Sequence, residues 1–251
     1  MDIKELVLQD TVEMSRYINI AKYHEFEIYH PFYKEMVRLI IKKIKEHAHV
    51  HYTTRILEVG AGTGIFTKYL SQLRDVEITA IEPDKNCFMF LHNMFASKKN
   101  VKIVQDNAIT FKPEHTYDMI ISTFSHHHIP PTSAAAFLQN MHSSLRENGV
   151  YIVGDELVSH YTNEQERKIS LLRYHSTIVY LAKQFGYPDV AELEIQSLLS
   201  GIYQIGEFKR SAQLFEEEMG TNEFTIVDST KLGPHSSEDI GGVYVYTFMK
   251  H

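Results

Sequence analysis

The feature that most limits the fold of this chain is a short apolar run that ends in three spaced glycines. The segment 55–67 reads RILEVGAGTGIFT, and its apolar residues before the glycines are suited to a buried strand. The glycines stand at alternate positions: Gly60, Gly62 and Gly64. They predict a tight turn, after which a helix begins around Ile65. Because glycine has no Cβ, such a turn lets the backbone approach a ligand closely, so the segment predicts a strand–turn–helix unit with a ligand site at the turn.

Apolar runs and apolar helical stripes alternate over residues 51–156. The predicted strands are 55–60, 77–82, 101–105, 117–122 and 149–154. The predicted helices are 64–73, 85–97 and 132–146. Alternating strands and helices imply a parallel sheet with helices on both faces. This part of the chain is therefore predicted to be an α/β core.

Three further parts complete the predicted organisation. Residues 1–50 are interpreted as an N-terminal helical cover. Residues 157–220 read as three helices, and this segment is far longer than the usual connection of a few residues. Because it is predicted to leave the sheet at the ligand-binding edge, we interpret it as a lid. Residues 221–251 contain two more apolar runs, which predict the last two strands at 224–227 and 243–249.

Composition argues against several classes of protein. The net charge is −7, whereas nucleic-acid binders usually present a basic face. The sequence has no apolar run of about 20 residues, and its first residues lack the features of a secretion signal. The one cysteine, Cys87, excludes an internal disulfide. We therefore expect a cytoplasmic protein that acts on a small molecule and binds neither nucleic acid nor membrane, with its oligomeric state left open.

The glycine turn also indicates which cofactor it binds. In the nicotinamide fingerprint G-x-G-x-x-G, the third glycine position would fall on an isoleucine here. The pattern Gly60-x-Gly62-x-Gly64, preceded by Glu58, instead resembles the cofactor loop of class I S-adenosylmethionine (SAM)-dependent methyltransferases. The resemblance implies SAM as the cofactor, with Glu58 and the three glycines at its site. It also implies a doubly wound, seven-stranded, mostly parallel sheet with an antiparallel last strand and the lid between strands five and six.

Polar residues at the ends of the second, third and fourth strands complete the predicted SAM site. Glu82 lies 22 residues after Gly60, the spacing at which a doubly wound sheet places a carboxylate over the ribose of a bound nucleoside. A carboxylate can accept hydrogen bonds from both ribose hydroxyls. The resemblance assigns Asp106 to the adenine amino group and adds Asn107 and Thr123 to cofactor binding. The alternatives are a solvated acid for Glu82 and a turn cap for Asp106.

The segment 117–131, YDMIISTFSHHHIPP, carries the candidate catalytic residues. It resembles the fourth motif of small-molecule methyltransferases and lacks the Asp/Asn-Pro-Pro-aromatic tetrad of enzymes that methylate nucleic-acid bases. An imidazole can accept a proton near neutral pH, and the resemblance favours His127 as the base. Asp155, directly after the fifth strand, is the second catalytic candidate, while His126 and His128 remain alternatives. No metal site is predicted, because consecutive histidines lack the spacing that converges on one ion.

The remaining candidates concern the methyl acceptor. Four residues are predicted substrate contacts, with side-chain packing as the alternative role: Tyr23, His30, His128 and Tyr174. Lys209 and Arg210 are interpreted as a surface pair, with binding of an acidic substrate as the alternative. The predicted function is SAM-dependent methyl transfer to an oxygen, nitrogen or carbon atom of a small molecule. Two alternatives stay open: RNA or protein methylation, and a methyltransferase-fold protein that binds SAM without methyl transfer, as a cyclase, sensor or partner subunit.

Overall fold

A seven-stranded sheet lies at the centre of the computed structural model, which describes residues 13–49 and 51–250. The strands are β1 (Thr54–Val59), β2 (Val76–Ile81), β3 (Val101–Val104), β4 (Tyr117–Thr123), β5 (Leu145–Leu157), β6 (Phe224–Gly233) and β7 (Gly242–Lys250). Their order across the sheet is β3-β2-β1-β4-β5-β7-β6. The first five strands pair in parallel, and β7 runs antiparallel to both β5 and β6. The predicted doubly wound sheet with an antiparallel last strand is confirmed.

Helices flank this sheet. They are α1 (Ile20–Phe26), α2 (Tyr33–His47), α3 (Thr67–Leu70), α4 (Lys85–Phe95), α5 (Ala134–Ser144), α6 (Glu164–Gln184), α7 (Pro188–Tyr203) and α8 (Ala212–Thr221). Four of them begin after a side chain that accepts a backbone N–H of the first turn, as favoured N-cap residues do: Asn19, Asp84, Asn163 and Ser211. No helix in the described part of the chain is long and apolar enough to span a membrane.

Each face of the sheet is covered by its own apolar layer. On one face, Met36, Ile40 and Ile44 recur at helical spacing along α2 and are buried against residues of β1, β4 and β5. On the other face, Phe137 of α5 and Phe215 of α8 pack against the opposite side chains of the same sheet. Burial of each such side chain is worth about 1.5–3 kcal/mol, so these three helices are fixed to the sheet.

Several predicted boundaries differ from the structure, and three of them have a clear local cause. The helix predicted at 64–73 is reduced to α3, because Gly64 has a φ of +87°, which is outside the helical range. Helix α5 ends at Ser144, earlier than predicted, because β5 begins at the next residue and pairs there with β4. Strand β6 continues to Gly233, beyond its predicted end, because it pairs with β7 along its whole length.

The segment 157–220, interpreted as a lid, consists of two different parts. Helix α8 belongs to the core layer, because Phe215 and Met219 are buried with residues of β5 and β7. Helices α6 and α7 pack against each other, and α7 also contacts α1. Tyr174 of α6 donates a hydrogen bond to Glu156 at the end of β5, at 2.7 Å. The α6–α7 pair therefore lies at the carboxyl edge of the sheet.

Of the predicted N-terminal cover, the first twelve residues lie outside the described residues.

Candidate active site

A cleft of about 980 Å³, including its mouth, opens where β1, β2 and β4 end. We call it the first cavity. The segments that follow β1 to β4 all contribute to its walls, through Gly60, Glu82, Asn107 and Ser125 among others. Neighbouring strands β1 and β4 lie where the strand order reverses, which is where open α/β sheets bind ligands. The position of the first cavity is therefore that of a ligand site in an open α/β sheet.

The glycine turn forms one wall of the first cavity. Gly60 and Gly62 line it, with φ values of +65° and +54° that strain other residues. A Cβ on Gly60 would lie 2.6 Å from the Cβ of Ser125, whereas a Cβ on Gly62 would project into open space, 3.9 Å from the Tyr23 hydroxyl. Gly64 has a packing role instead, because a Cβ there would lie 2.7 Å from the ring of Phe95. Two of the three predicted glycines therefore face the cavity.

Glu82 provides the carboxylate of the first cavity. It is buried, and its two oxygens accept hydrogen bonds from the backbone N–H groups of Gly62 at 2.7 Å and Asp84 at 2.8 Å. Burial raises the pKa of Glu82 to about 7, although the two N–H groups oppose that rise. Each carboxylate oxygen has a second lone pair, so Glu82 can hold the glycine turn and still accept from a ligand hydroxyl.

Glu58 was expected at the cofactor, but it does not line the first cavity. It is only 1% exposed, and neither of its carboxylate oxygens has a hydrogen-bond partner among the described residues. Burial raises the pKa of Glu58 to about 8, so the carboxyl group is largely protonated at neutral pH. Glu58 is thus a buried acid behind the glycine turn.

Two further predicted cofactor residues lie off the cavity wall. Asp106 does not line the cavity; its side chain accepts the backbone N–H of Asn107 at 2.7 Å, which is the turn-capping alternative. Asn107 and Ile109 line the cavity instead. Strand β3 ends at Val104, earlier than predicted, and this displaces the cavity-facing position to Asn107. Thr123 does not line the cavity either, whereas the residues that follow it do.

A second, smaller cavity of about 440 Å³ adjoins the first. Four residues line both cavities: Met14, Tyr23, Phe124 and His128. The second cavity is more acidic, and its walls include His127 and four glutamates. It lies between the strand ends and the α6–α7 pair, since Glu156 of β5 and Glu194 of α7 both line it. Tyr23 and His128 are therefore placed between the two cavities, as their predicted substrate role requires.

His127 and Asp155 form a buried pair beside the second cavity. The Nδ1 atom of His127 is hydrogen-bonded to the Asp155 carboxylate, whose other oxygen accepts the His127 backbone N–H at 3.0 Å. The Nε2 atom of His127 lies 3.6 Å from a carboxylate oxygen of Glu207. Burial alone would lower the pKa of His127, but the charges of Asp155 and Glu207 outweigh it and the pKa is raised. The structure thus brings together the two predicted catalytic residues.

The neighbouring histidines have other environments. His126 points into the core, where it contacts the ring of Phe215, and its Nε2 atom lies 2.8 Å from Glu218. His128 donates from Nδ1 to the carbonyl oxygen of Gly206 at 2.6 Å, which leaves its Nε2 as the acceptor. Burial and the charge of His127 lower the pKa of His128 to about 4, so it is neutral at physiological pH. His126 is therefore excluded from the site, and His128 remains in it.

A network of buried charges beneath the second cavity was not predicted. Lys209, interpreted from the sequence as a surface residue, is buried, and its ammonium lies 3.0 Å from Glu156 and 2.6 Å from Glu207. His30, one of the predicted substrate contacts, has its Nε2 atom 3.1 Å from Glu156 and 3.2 Å from Glu194. Tyr174, another predicted contact, donates to Glu156. His30 and Tyr174 therefore support the carboxylates that face the cavity.

The spacing of the consecutive histidines does not exclude a metal site, because the fold brings a third ligand group beside two of them. His127, His128 and Glu207 each offer a ligand atom within 4.8 Å of the others, because a loop from a distant part of the chain supplies the third group. His30, Glu156 and Glu194 form a similar group. In both groups the carboxylates already have protein cations beside them, at Lys209 and at the histidines.

Comparison with known proteins agrees with this geometry. A family described as a methyltransferase domain matches residues 56–149. An uncharacterized methyltransferase of Staphylococcus carnosus is 25% identical over 122 residues, which cover 49% of this chain and 55% of that protein. The chain thus spans little more than half the length of this curated relative.

Two solved structures show the same fold. The cyclopropane synthase MmaA2 of Mycobacterium tuberculosis is 14% identical with a TM-score of 0.60, over 84% of each chain. Magnesium protoporphyrin IX methyltransferase of Synechocystis, solved with bound SAM, is 9% identical with a TM-score of 0.54, over 86% of this chain and 79% of that one. At sequence identities this low, the comparison shows that the fold is shared and nothing more. Residues 56–149 therefore match the methyltransferase-domain family, and the chain as a whole shares the fold of these two structures.

Proposed function

We propose that the chain transfers a methyl group from SAM to a small-molecule acceptor. The observation that carries this proposal is the junction of the two cavities: the cleft at the glycine turn opens into a smaller polar cavity that contains the His127–Asp155 pair. The second cavity is the smaller of the two, and most of the side chains that line it are polar.

The residues of the first cavity fit SAM. Gly62 leaves an open cradle that a Cβ would fill, and the Glu82 carboxylate can accept from ribose hydroxyls. Asn107 and Ile109 are placed to border the adenine ring. When bound, SAM supplies a methyl group already activated by the positive charge on sulfur. What remains for the protein is to orient the acceptor, to exclude water and to remove a proton where the acceptor carries one.

We assign His127 as the base that removes this proton from the acceptor. Asp155 accepts from Nδ1, which fixes the tautomer that leaves Nε2 as the acceptor atom. The same carboxylate stabilises the imidazolium that forms when His127 takes up a proton, as the raised pKa of His127 indicates. Tyr23 and His128 line both cavities, and we assign them to orienting the acceptor.

The alternatives predict different products. Methylation of RNA is disfavoured by the net charge of −7, since nucleic-acid binders usually present a basic face, and methylation of protein would place the label in the protein fraction. A sensor or partner subunit that binds SAM without methyl transfer would need the first cavity alone, whereas a cyclase would also use the second cavity. A cytoplasmic location remains a prediction from the sequence.

The experiment that separates these functions is a transfer assay with methyl-labelled SAM in a cell extract, followed by fractionation of the label by size. We expect label in the small-molecule fraction. Label in RNA or protein would support the first alternative, and binding of SAM without any transfer would support the second.

Closure of the α6–α7 pair is a separate expectation. These helices lie over the second cavity and are joined to the strand ends by polar contacts such as the Tyr174–Glu156 hydrogen bond. We expect their amides to gain protection from hydrogen exchange when S-adenosylhomocysteine and the acceptor are both bound, because closure must exclude water. Helix α8 is the internal control, since Phe215 and Met219 anchor it to the core in every state. Equal protection of α6–α7 with and without ligands would show a static layer.

A further inference from the structure

Carboxylates dominate the walls of the second cavity. Glu27, Glu156, Glu194 and Glu207 all line it, and its lining contains no lysine or arginine. Buried like charges repel strongly, so an anionic acceptor would be disfavoured here. A cationic acceptor would instead be attracted by these carboxylates.

Three of these glutamates already have partners within the protein. Glu156 and Glu207 share the Lys209 ammonium, at 3.0 and 2.6 Å. Glu194 accepts from His175 at 2.8 Å. The negative charges of these three carboxylates are therefore balanced by side chains of the protein, and they need no ligand as a counter-ion.

Glu27 is the exception. It follows α1 directly, it is only 7% exposed, and it lines the second cavity. No side-chain hydrogen bond or ion pair joins Glu27 to any of the described residues. Burial raises the pKa of Glu27 to about 7, against the opposing charge of His30. A buried carboxylate without a partner is costly, so this side chain is suited to a counter-ion that arrives with the ligand.

We propose that the methyl acceptor is a small aliphatic amine, bound in the second cavity as an ammonium ion with Glu27 as its counter-ion. This inference rests on the proposed methyl transfer and narrows it to nitrogen. An aliphatic amine is an ammonium ion at neutral pH, as a lysine side chain is. Its several N–H groups allow one to remain on Glu27 while another faces His127.

The transfer step balances with these residues. One proton moves from the ammonium to Nε2 of neutral His127, which frees the nitrogen lone pair. The nitrogen forms a bond to the methyl carbon as the carbon–sulfur bond breaks, and that electron pair goes to sulfur, which gives S-adenosylhomocysteine. The product is an N-methylammonium ion that can keep its contact with Glu27.

The test uses three probes with one carbon skeleton: butylamine, butanol and butyrate. Their binding is measured by calorimetry with S-adenosylhomocysteine present, and their methylation with labelled SAM. We expect the wild-type chain to bind butylamine about tenfold or more tightly than the other two, because bonds to charged groups are strong. We expect Glu27→Gln to lose this preference and Glu27→Asp to retain it. The matched control is Glu25→Gln, an exposed glutamate on α1.

The outcomes separate this inference from the function on which it rests. A wild-type preference for butanol or butyrate, or an unchanged amine preference in Glu27→Gln, would overturn the amine assignment and leave methyl transfer standing. Absence of SAM binding or of label in any small molecule would overturn the proposed function itself. SAM affinity should be the same in all variants, because Glu27 does not line the first cavity.

Discussion

Replacement of His127 by alanine is expected to lower turnover by about 10²–10⁴-fold, the usual effect of losing a general base. The reason is geometric: His127 lines the second cavity, and Asp155 holds its Nδ1 so that Nε2 is the atom that accepts a proton. SAM affinity should not change, because His127 does not line the first cavity. Single-turnover rates and calorimetry measure the two effects separately.

The pH profile tests the same assignment without removing the side chain. A base must be neutral to act, and the pKa of His127 is raised, so activity should be lost as pH falls through a value above that of an ordinary imidazole. Asp155→Asn removes the charge that raises this pKa, so the acid limb should move to lower pH. His235→Ala, at an exposed histidine, is the control. Nearly full turnover in His127→Ala would contradict the assignment and return the role to His128 or Asp155.

Replacement of Glu82 by alanine is expected to weaken SAM binding by about 2–3 kcal/mol, or roughly 30–150-fold. The variant loses a charged acceptor for the ribose, and it also loses the acceptor of the Gly62 N–H, which holds the glycine turn. Glu77→Ala, at an exposed glutamate of the same strand, is the matched control. Wild-type affinity in Glu82→Ala would remove the ribose assignment.

Proton release gives a second measure of the Glu82 contact. Burial holds the pKa of Glu82 near 7 in the free protein, and a carboxylate that accepts from ribose hydroxyls is favoured in its ionised form. SAM binding should therefore release protons near neutral pH, and affinity should fall as pH decreases below about 7. Calorimetry in two buffers of different ionisation enthalpy reports the number released.

Local sequence signals predicted the parts of the site that depend on local structure. The glycine turn and Glu82 were found because each follows directly from a strand end, and both line the first cavity. Asp106 and Asn107 were both predicted at the cofactor, but only Asn107 lines the first cavity. The third strand ends at Val104, earlier than predicted, and at a strand end a small shift changes which side chain faces the ligand. Thr123 does not line the first cavity, because the chain turns at Phe124, which has a φ of +47°, and its role at the cofactor stays a prediction.

Long-range pairing explains what the sequence could not reveal. Glu27 and Glu194 come from distant segments, and only the folded chain brings them to the second cavity, with Lys209 buried beneath it. Lys209 was interpreted as exposed because lysine is rarely buried without a partner, and its partners Glu156 and Glu207 could not be identified in advance. One sequence signal was available: Glu194 interrupts the buried stripe of α7.

The most direct test of the whole account is a crystal structure of the chain with S-adenosylhomocysteine. We expect one molecule in the first cavity, with the ribose hydroxyls on Glu82, the adenine beside Asn107 and Ile109, and the sulfur facing the second cavity. A ligand whose ribose contacts another residue, or whose sulfur points away from His127, would contradict the account.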